Sequence, residues 1–227
     1  MNLLVFHCRR RLWLLPLMGG FYIFIVLLQK QSIFSTYHNT AELFPSLVVS
    51  LLSAFVLTSN TENEFARCYG VPFTKLGFFQ WLPHLIYPLA VALLSVPIWF
   101  FLHGDSLESF GKISYAAISF SLFITFLLGT SFILLVRILI RNLYAAIASF
   151  LIVFSPLYTF HRNLLLHQIP ISYAKYDIWI TGLLYSDAYD VSMETWLWNR
   201  FACLGIAILF MIMAFLLLKQ KNYENIR

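Results

Sequence analysis

Six long apolar runs decide what this chain can fold into, at about 12–28, 44–60, 78–102, 113–136, 143–160 and 200–218. Each approaches or exceeds the roughly 20 residues with which a helix crosses the hydrocarbon core of a bilayer. Lipid offers no partner for a backbone N–H or C=O, so only helices and closed barrels can span it. The runs are continuous and do not alternate with polar residues, so helices are expected. The predicted fold is an all-α integral membrane domain, 1–227, with six transmembrane helices. Composition agrees: 60% of the 227 residues are apolar and only 11% are charged, with a mean hydropathy of +0.79. A soluble domain carries roughly 25% charged residues.

The flanking charges give a direction. With the N-terminus inside, one side holds Arg9, Arg10, Arg11, Arg67, Lys75, Arg137, Arg141, Lys219, Lys221 and Arg227. The other holds Lys30, Lys112, Arg162, Lys175 and Arg200. Cationic residues concentrate on the cytoplasmic side, so both termini are expected there. The outer segments also collect Glu42, Asp105, Glu108, Asp177, Asp187, Asp190 and Glu194. The net charge of +5 is therefore read as membrane flanking, with lipid and not nucleic acid as the partner. Arg9 to Arg11 before the first run resemble a secretory signal, but no small-residue cleavage site follows, so an uncleaved first span is expected. Cys8, Cys68 and Cys203 lie far apart without a CxxC pair, which indicates neither a disulfide framework nor a zinc site.

Catalytic signatures are missing. There is no phosphate-binding loop, HExxH, GxSxG or dinucleotide fingerprint. The span middles read as free of charged residues, and His84 is the one histidine well inside a run. Ion-coupled transporters place acids near the midplane, so any transport here needs energy from a partner. Small and hydroxylated residues recur at helical spacing: Ala117, Ser121, Thr125 and Gly129 on the fourth run, Ser46, Ser50 and Ser53 on the second, Ala145 and Ser149 on the fifth. Such faces permit close helix packing; on the second and fifth runs they also suit the wall of a translocation path.

Two connections are more than turns. Between 161 and 199 lies an outer segment too apolar for disorder, expected as short helices dipping into the membrane. Between 61 and 76 lies a cytoplasmic segment where Asn60 or Thr61 can cap a short helix, with Glu62 and Glu64 in its first turn. Glu64 and Arg67 are spaced to pair on one face, and Gly70 and Pro72 end the helix before Thr74 and Lys75.

The stretches Glu62-Asn63-Glu64-Phe65-Ala66-Arg67 and Gly70-Val71-Pro72-Phe73-Thr74-Lys75 resemble the first intracellular loop of type-2 ATP-binding-cassette permeases. The resemblance covers about fifteen residues in motif and most of the chain in topology. It departs at the N-terminus, where only eleven residues precede the first run. The resemblance implies a coupling helix formed by Glu62, Glu64, Arg67, Gly70, Pro72, Thr74 and Lys75, on which separate ATP-binding subunits dock. It also implies a re-entrant hairpin between the fifth and sixth spans and a second permease subunit, identical or related. ATP and Mg would be bound by the partner and no cofactor or metal by this chain. The implied activity is export of a drug, antimicrobial peptide or other amphipathic molecule across a bacterial plasma membrane.

Two rivals use the same residues. Glu62, Glu64 and Arg67 superficially resemble the glutamate and arginine motif of prenyl-endopeptidase-type intramembrane metalloproteases, with His161 and His167 as possible metal ligands. In this sequence the glutamates are separated by Asn63 and lie outside the apolar runs. The other rival is a non-transporting sensor or assembly factor.

Overall fold

A computed structural model describes residues 85–86, 88–90, 92–94, 115–140, 142–165, 167–178 and 192–224. The expected spans at 12–28 and 44–60, most of 78–102, the segment 61–76 and both termini lie outside the described residues. Within them the chain is helical and contains no strand. Helix α1 spans Tyr115–Ile140, α2 spans Leu143–Leu165 and α3 spans Met193–Glu224. A short 3-10 helix, Ile171–Tyr176, stands between α2 and α3. All three α-helices are long and apolar enough to cross a membrane, over Ser119–Ile140, Tyr144–Leu164 and Met193–Leu217.

The helix ends are set by local hydrogen bonds. Asn142 caps α2, its Oδ1 accepting the backbone N–H groups of Tyr144 (2.9 Å) and Ala145 (3.3 Å). Ser192 caps α3, with the Thr195 N–H donating to its Oγ (3.2 Å). Helix α2 accommodates Pro156, which removes one i to i−4 donor, and ends in a Schellman turn. There His167 N–H donates to Leu164 O (3.1 Å) and Gln168 N–H to Asn163 O (2.9 Å). His167 takes the left-handed position of that turn, at φ 54°.

Helices α1 and α2 run antiparallel, with Phe120 near the start of α1 packing by Leu164 at the end of α2, and Phe132 further along α1 against Phe150 and Phe154. Helix α3 returns parallel to α1 and packs along its length. Its seam runs through Trp196, Arg200, Cys203, Ala207, Phe210 and Ala214, spaced alternately by four and three residues, the 3-4 pattern of nearly parallel helices. The core falls in layers. Leu164, Ala174 and Trp196 form one near the start of α3. Ile124, Leu127, Leu128, Ile133, Phe150, Phe154, Cys203 and Ala207 form the middle one, and Leu134, Leu135 and Ala214 the far one. Phe132 of α1 meets Phe154 of α2 (5.7 Å between centroids) and Phe210 of α3 (5.8 Å), tying all three helices.

Helix α1 is the central element, with 67% of its span buried against 22% for each of α2 and α3. The exposed faces of α2 and α3 are apolar, carrying Ile152, Leu209 and Leu216 among others. In water such faces would be costly, whereas lipid or another apolar helix accepts them.

The sequence limits move at each of the three described runs. The helix at the fourth run covers 115–140 where 113–136 was expected, and the one at the fifth continues from 160 to 165. The one at the sixth covers 193–224 and not 200–218, and Ser192 caps its start. The connection expected over 161–199 therefore shortens to the residues between 165 and 193, of which 166 and 179–191 lie outside the described residues.

A non-glycine residue in the left-handed region costs roughly 1–2 kcal/mol. His167→Gly is therefore expected to stabilise the protein by about 1 kcal/mol in denaturant titrations of detergent-solubilised protein. A lower unfolding midpoint would show that the imidazole contributes more than the backbone strain it imposes.

Candidate functional site: a buried polar layer

Between the first and middle apolar layers lies one made of polar side chains. It is centred on Arg200, which is fully buried seven residues into α3. At 1.5 Å rise per residue this is about 10 Å from the helix start. The guanidinium has five N–H donors in a planar fork, and oxygens from three elements receive them. Nε donates to Asn199 Oδ1 (3.0 Å). Nη1 donates to Ser121 Oγ and Thr125 Oγ1 on α1, both at 3.1 Å. Nη2 donates to Asn199 Oδ1 (2.6 Å) and to the backbone carbonyls of Asp177 (3.3 Å) and Ile178 (2.9 Å).

Asn199 completes the arrangement from the adjacent position. Its Oδ1 faces the guanidinium while its Nδ2 donates to Lys175 O (2.8 Å) and Asp177 O (2.9 Å). The opposite amide orientation would set Nδ2 against the guanidinium donors, so this network admits one orientation. Thr125 Oγ1 donates back to Ser121 O (3.1 Å) and has Ile178 O within reach at 3.4 Å. On the other flank, the imidazole of His161 on α2 pairs through Nδ1 with Oδ2 of Asp177, both side chains being buried. Four pieces of chain thus meet at one level: α1, α2, α3 and the segment 167–178.

The path of that segment follows from these contacts. After the Schellman turn it starts the 3-10 helix at Pro170, whose carbonyl accepts Tyr173 N–H (3.0 Å). It then runs back along the helices, and Asp177 and Ile178 arrive beside Thr125, six residues inside the α1 span. Its apolar attachment rests on four residues. Ala174 is buried with Ile169 and Ile171 beside it against Leu164 and Trp196, and Ile178 packs on the middle layer. Ser172, Tyr173, Lys175 and Tyr176 are exposed, with Lys175 Nζ lying 5.1 Å from the Tyr176 ring centroid.

Sequence reasoning placed Arg200 in an outer flank and treated the span interiors as uncharged. The first point is corrected: Arg200 lies inside the candidate span of α3, and the His161 imidazole lies inside that of α2. Of the small-residue stripe on α1, Ser121, Thr125 and Gly129 are buried. The stripe packs, and two of its hydroxyls additionally solvate the guanidinium. Ala145 and Ser149 are half-buried and flank the packed face of α2, which runs through Ala146, Phe150 and Phe154. Ser46, Ser50 and Ser53 lie outside the described residues, as do Glu62, Glu64, Arg67, Gly70, Pro72, Thr74 and Lys75.

His161 and His167 are not brought together: one is buried on Asp177, the other exposed in the turn. Among the described residues no group of three or more His, Cys, Asp and Glu side chains is placed to hold a metal ion. One signal for the missed residues was available. Arg200 stands between the aromatic stretch Trp196-Leu197-Trp198 and a long apolar run, and Asp177 between Tyr176 and Ile178-Trp179-Ile180. Ionisable residues in such surroundings mark functional positions in membrane proteins.

Compared with known protein families, characterised proteins and solved structures, the chain finds no match.

Asn199→Ala removes two donors and the acceptor for Nε, leaving buried polar groups unsatisfied. At about 1–3 kcal/mol for each such group, a loss of at least about 3 kcal/mol is expected. Trp198→Ala, at a neighbouring residue that is 70% exposed, should change stability by less than about 1 kcal/mol. Equal effects of the two substitutions in denaturant titrations would show that the polar layer contributes little.

Proposed function

We propose that the chain is the permease subunit of an ATP-driven exporter of the type-2 ATP-binding-cassette kind. Separate ATP-binding subunits power it, and it works with a second permease subunit, identical or related. The observation that supports this reading most is the return of segment 167–178 into the helix bundle between the fifth and sixth apolar runs. The family resembled by the 62–75 motif carries a re-entrant element at that point of the chain. A connection serving only to join two spans needs no buried histidine–aspartate pair and no guanidinium aimed at its carbonyls.

In this reading the six spans place both termini and the segment 61–76 in the cytoplasm, and the polar layer near the outer face. ATP binding closes the partner subunits, and the displacement enters the membrane through Glu62, Glu64, Arg67, Gly70, Pro72, Thr74 and Lys75. The chain itself catalyses nothing and holds no nucleotide; ATP and Mg belong to the partner. The cargo is amphipathic, such as a drug or an antimicrobial peptide, and the setting is a bacterial plasma membrane.

The test is affinity purification of the tagged full chain from its native membrane in mild detergent. A nucleotide-binding subunit is expected to accompany it. Glu64→Lys should abolish that association while the permease still inserts. Recovery of the wild-type chain without any ATPase would remove the energy source and the reading with it. Normal association of Glu64→Lys would refute the proposed dock.

A further inference from the structure

Two kinds of contact attach segment 167–178. Ile169, Ile171, Ala174 and Ile178 pack on the apolar layers, and five side-chain hydrogen bonds or pairs reach it: two from Arg200, two from Asn199 and one from His161, with Thr125 Oγ1 3.4 Å from Ile178 O. Apolar burial tolerates sliding, because dispersion contacts are replaced as surfaces move. Hydrogen bonds do not, since they weaken steeply with misalignment and are lost beyond about 3.5 Å. The polar part of this attachment is therefore either seated or released.

Arg200 links that condition to the helices. Its side chain is rooted on α3, Nη1 is held by two hydroxyls of α1, and Nη2 holds the carbonyls of Asp177 and Ile178. The guanidinium is planar and rigid. A shift of α1 against α3 that carries Ser121 and Thr125 away from Nη1 therefore rotates the fork and misaligns Nη2. Thr125 reinforces the connection, because the same hydroxyl that accepts from Arg200 lies 3.4 Å from Ile178 O.

We propose that Arg200 is a latch that holds segment 167–178 in the bundle and releases it when α1 and α3 move relative to each other. The latch gives the proposed exporter an exit gate whose opening follows from helix displacement without any ligand at the gate itself. The gating role rests on the exporter reading; the mechanical link between Ser121, Arg200 and the segment does not. Arg200 is a positioning residue, acting on the segment through its carbonyls.

Hydrogen–deuterium exchange of the full chain in lipid nanodiscs tests it, with amides that open locally exchanging in proportion to the open population. Ser121→Ala is the decisive variant, because it removes from α1 the Oγ that accepts Arg200 Nη1. Loss of one hydrogen bond worth about 1 kcal/mol is expected to speed exchange over 167–178 about fivefold. Arg200→Lys, which keeps the charge and loses the fork, should speed it more than tenfold. Exchange in the α1 and α3 cores, 124–135 and 203–214, should stay as in the wild type in both variants. Unchanged exchange over 167–178 in Ser121→Ala overturns the latch, as does a uniform rise along all three helices, which is what a merely structural contribution produces. If Arg200→Lys fails to insert, Ser121→Ala alone carries the decision. A chain that shows the expected exchange but recruits no ATPase retains the latch and loses the exporter reading, so the two failures are distinguishable.

Discussion

Burying one guanidinium governs how this part of the molecule is arranged. Even after relaxation, moving an ion out of water carries an effective penalty of several kcal/mol. A charge within a helix long and apolar enough to cross a membrane must therefore bring its solvation with it. Helix α3 alone supplies the Asn199 amide oxygen. The remaining donors require the hydroxyls of α1 and the carbonyls of Asp177 and Ile178. Those carbonyls are available because the chain after α2 doubles back, and it stays there because the guanidinium and Asn199 receive it.

The layers above and below explain why the polar one is specific. Trp196 lies four residues before Arg200 and Cys203 three after, each in an apolar layer of the same α1–α3 seam. Sliding α3 by one turn would bring Arg200 against the packed phenylalanines and leave Ser121 and Thr125 facing apolar carbon. Register is thus fixed by a mismatch penalty as well as by packing. Small residues at Ser121, Gly129, Cys203 and Ala207 let the two backbones approach. Phe132, Phe150, Phe154 and Phe210 fill the wider space shared with α2.

The combination separates two kinds of attachment within one small bundle. The three α-helices are joined by broad apolar faces that persist through small movements. The 167–178 segment adds to its apolar contacts a set of directional bonds from a few side chains. Motion of the first kind is graded and release of the second is abrupt, which is the property the proposed gate requires. The His161–Asp177 pair adds α2 to the same junction, so each helix of the unit has a side chain engaged with the returning segment.

Helical class, membrane-spanning length and the approximate positions of α1, α2 and α3 follow from the sequence. An apolar run near 20 residues has few other solutions when lipid satisfies no backbone group. The stripe at Ser121, Thr125 and Gly129 is likewise legible, since helical periodicity places those residues on one face whatever packs there. Arg200 was misassigned because a single charge beside an apolar run ordinarily marks the end of a span, and the Ser192 cap lies in a stretch whose neighbours look like loop. Asp177 and His161 sit sixteen positions apart, with nothing local to pair them. What only the tertiary structure decided is that oxygens from α1, α3 and the 167–178 segment converge on one guanidinium. The solvation of a buried charge is a property of the surrounding fold and leaves no periodic trace in the sequence around it.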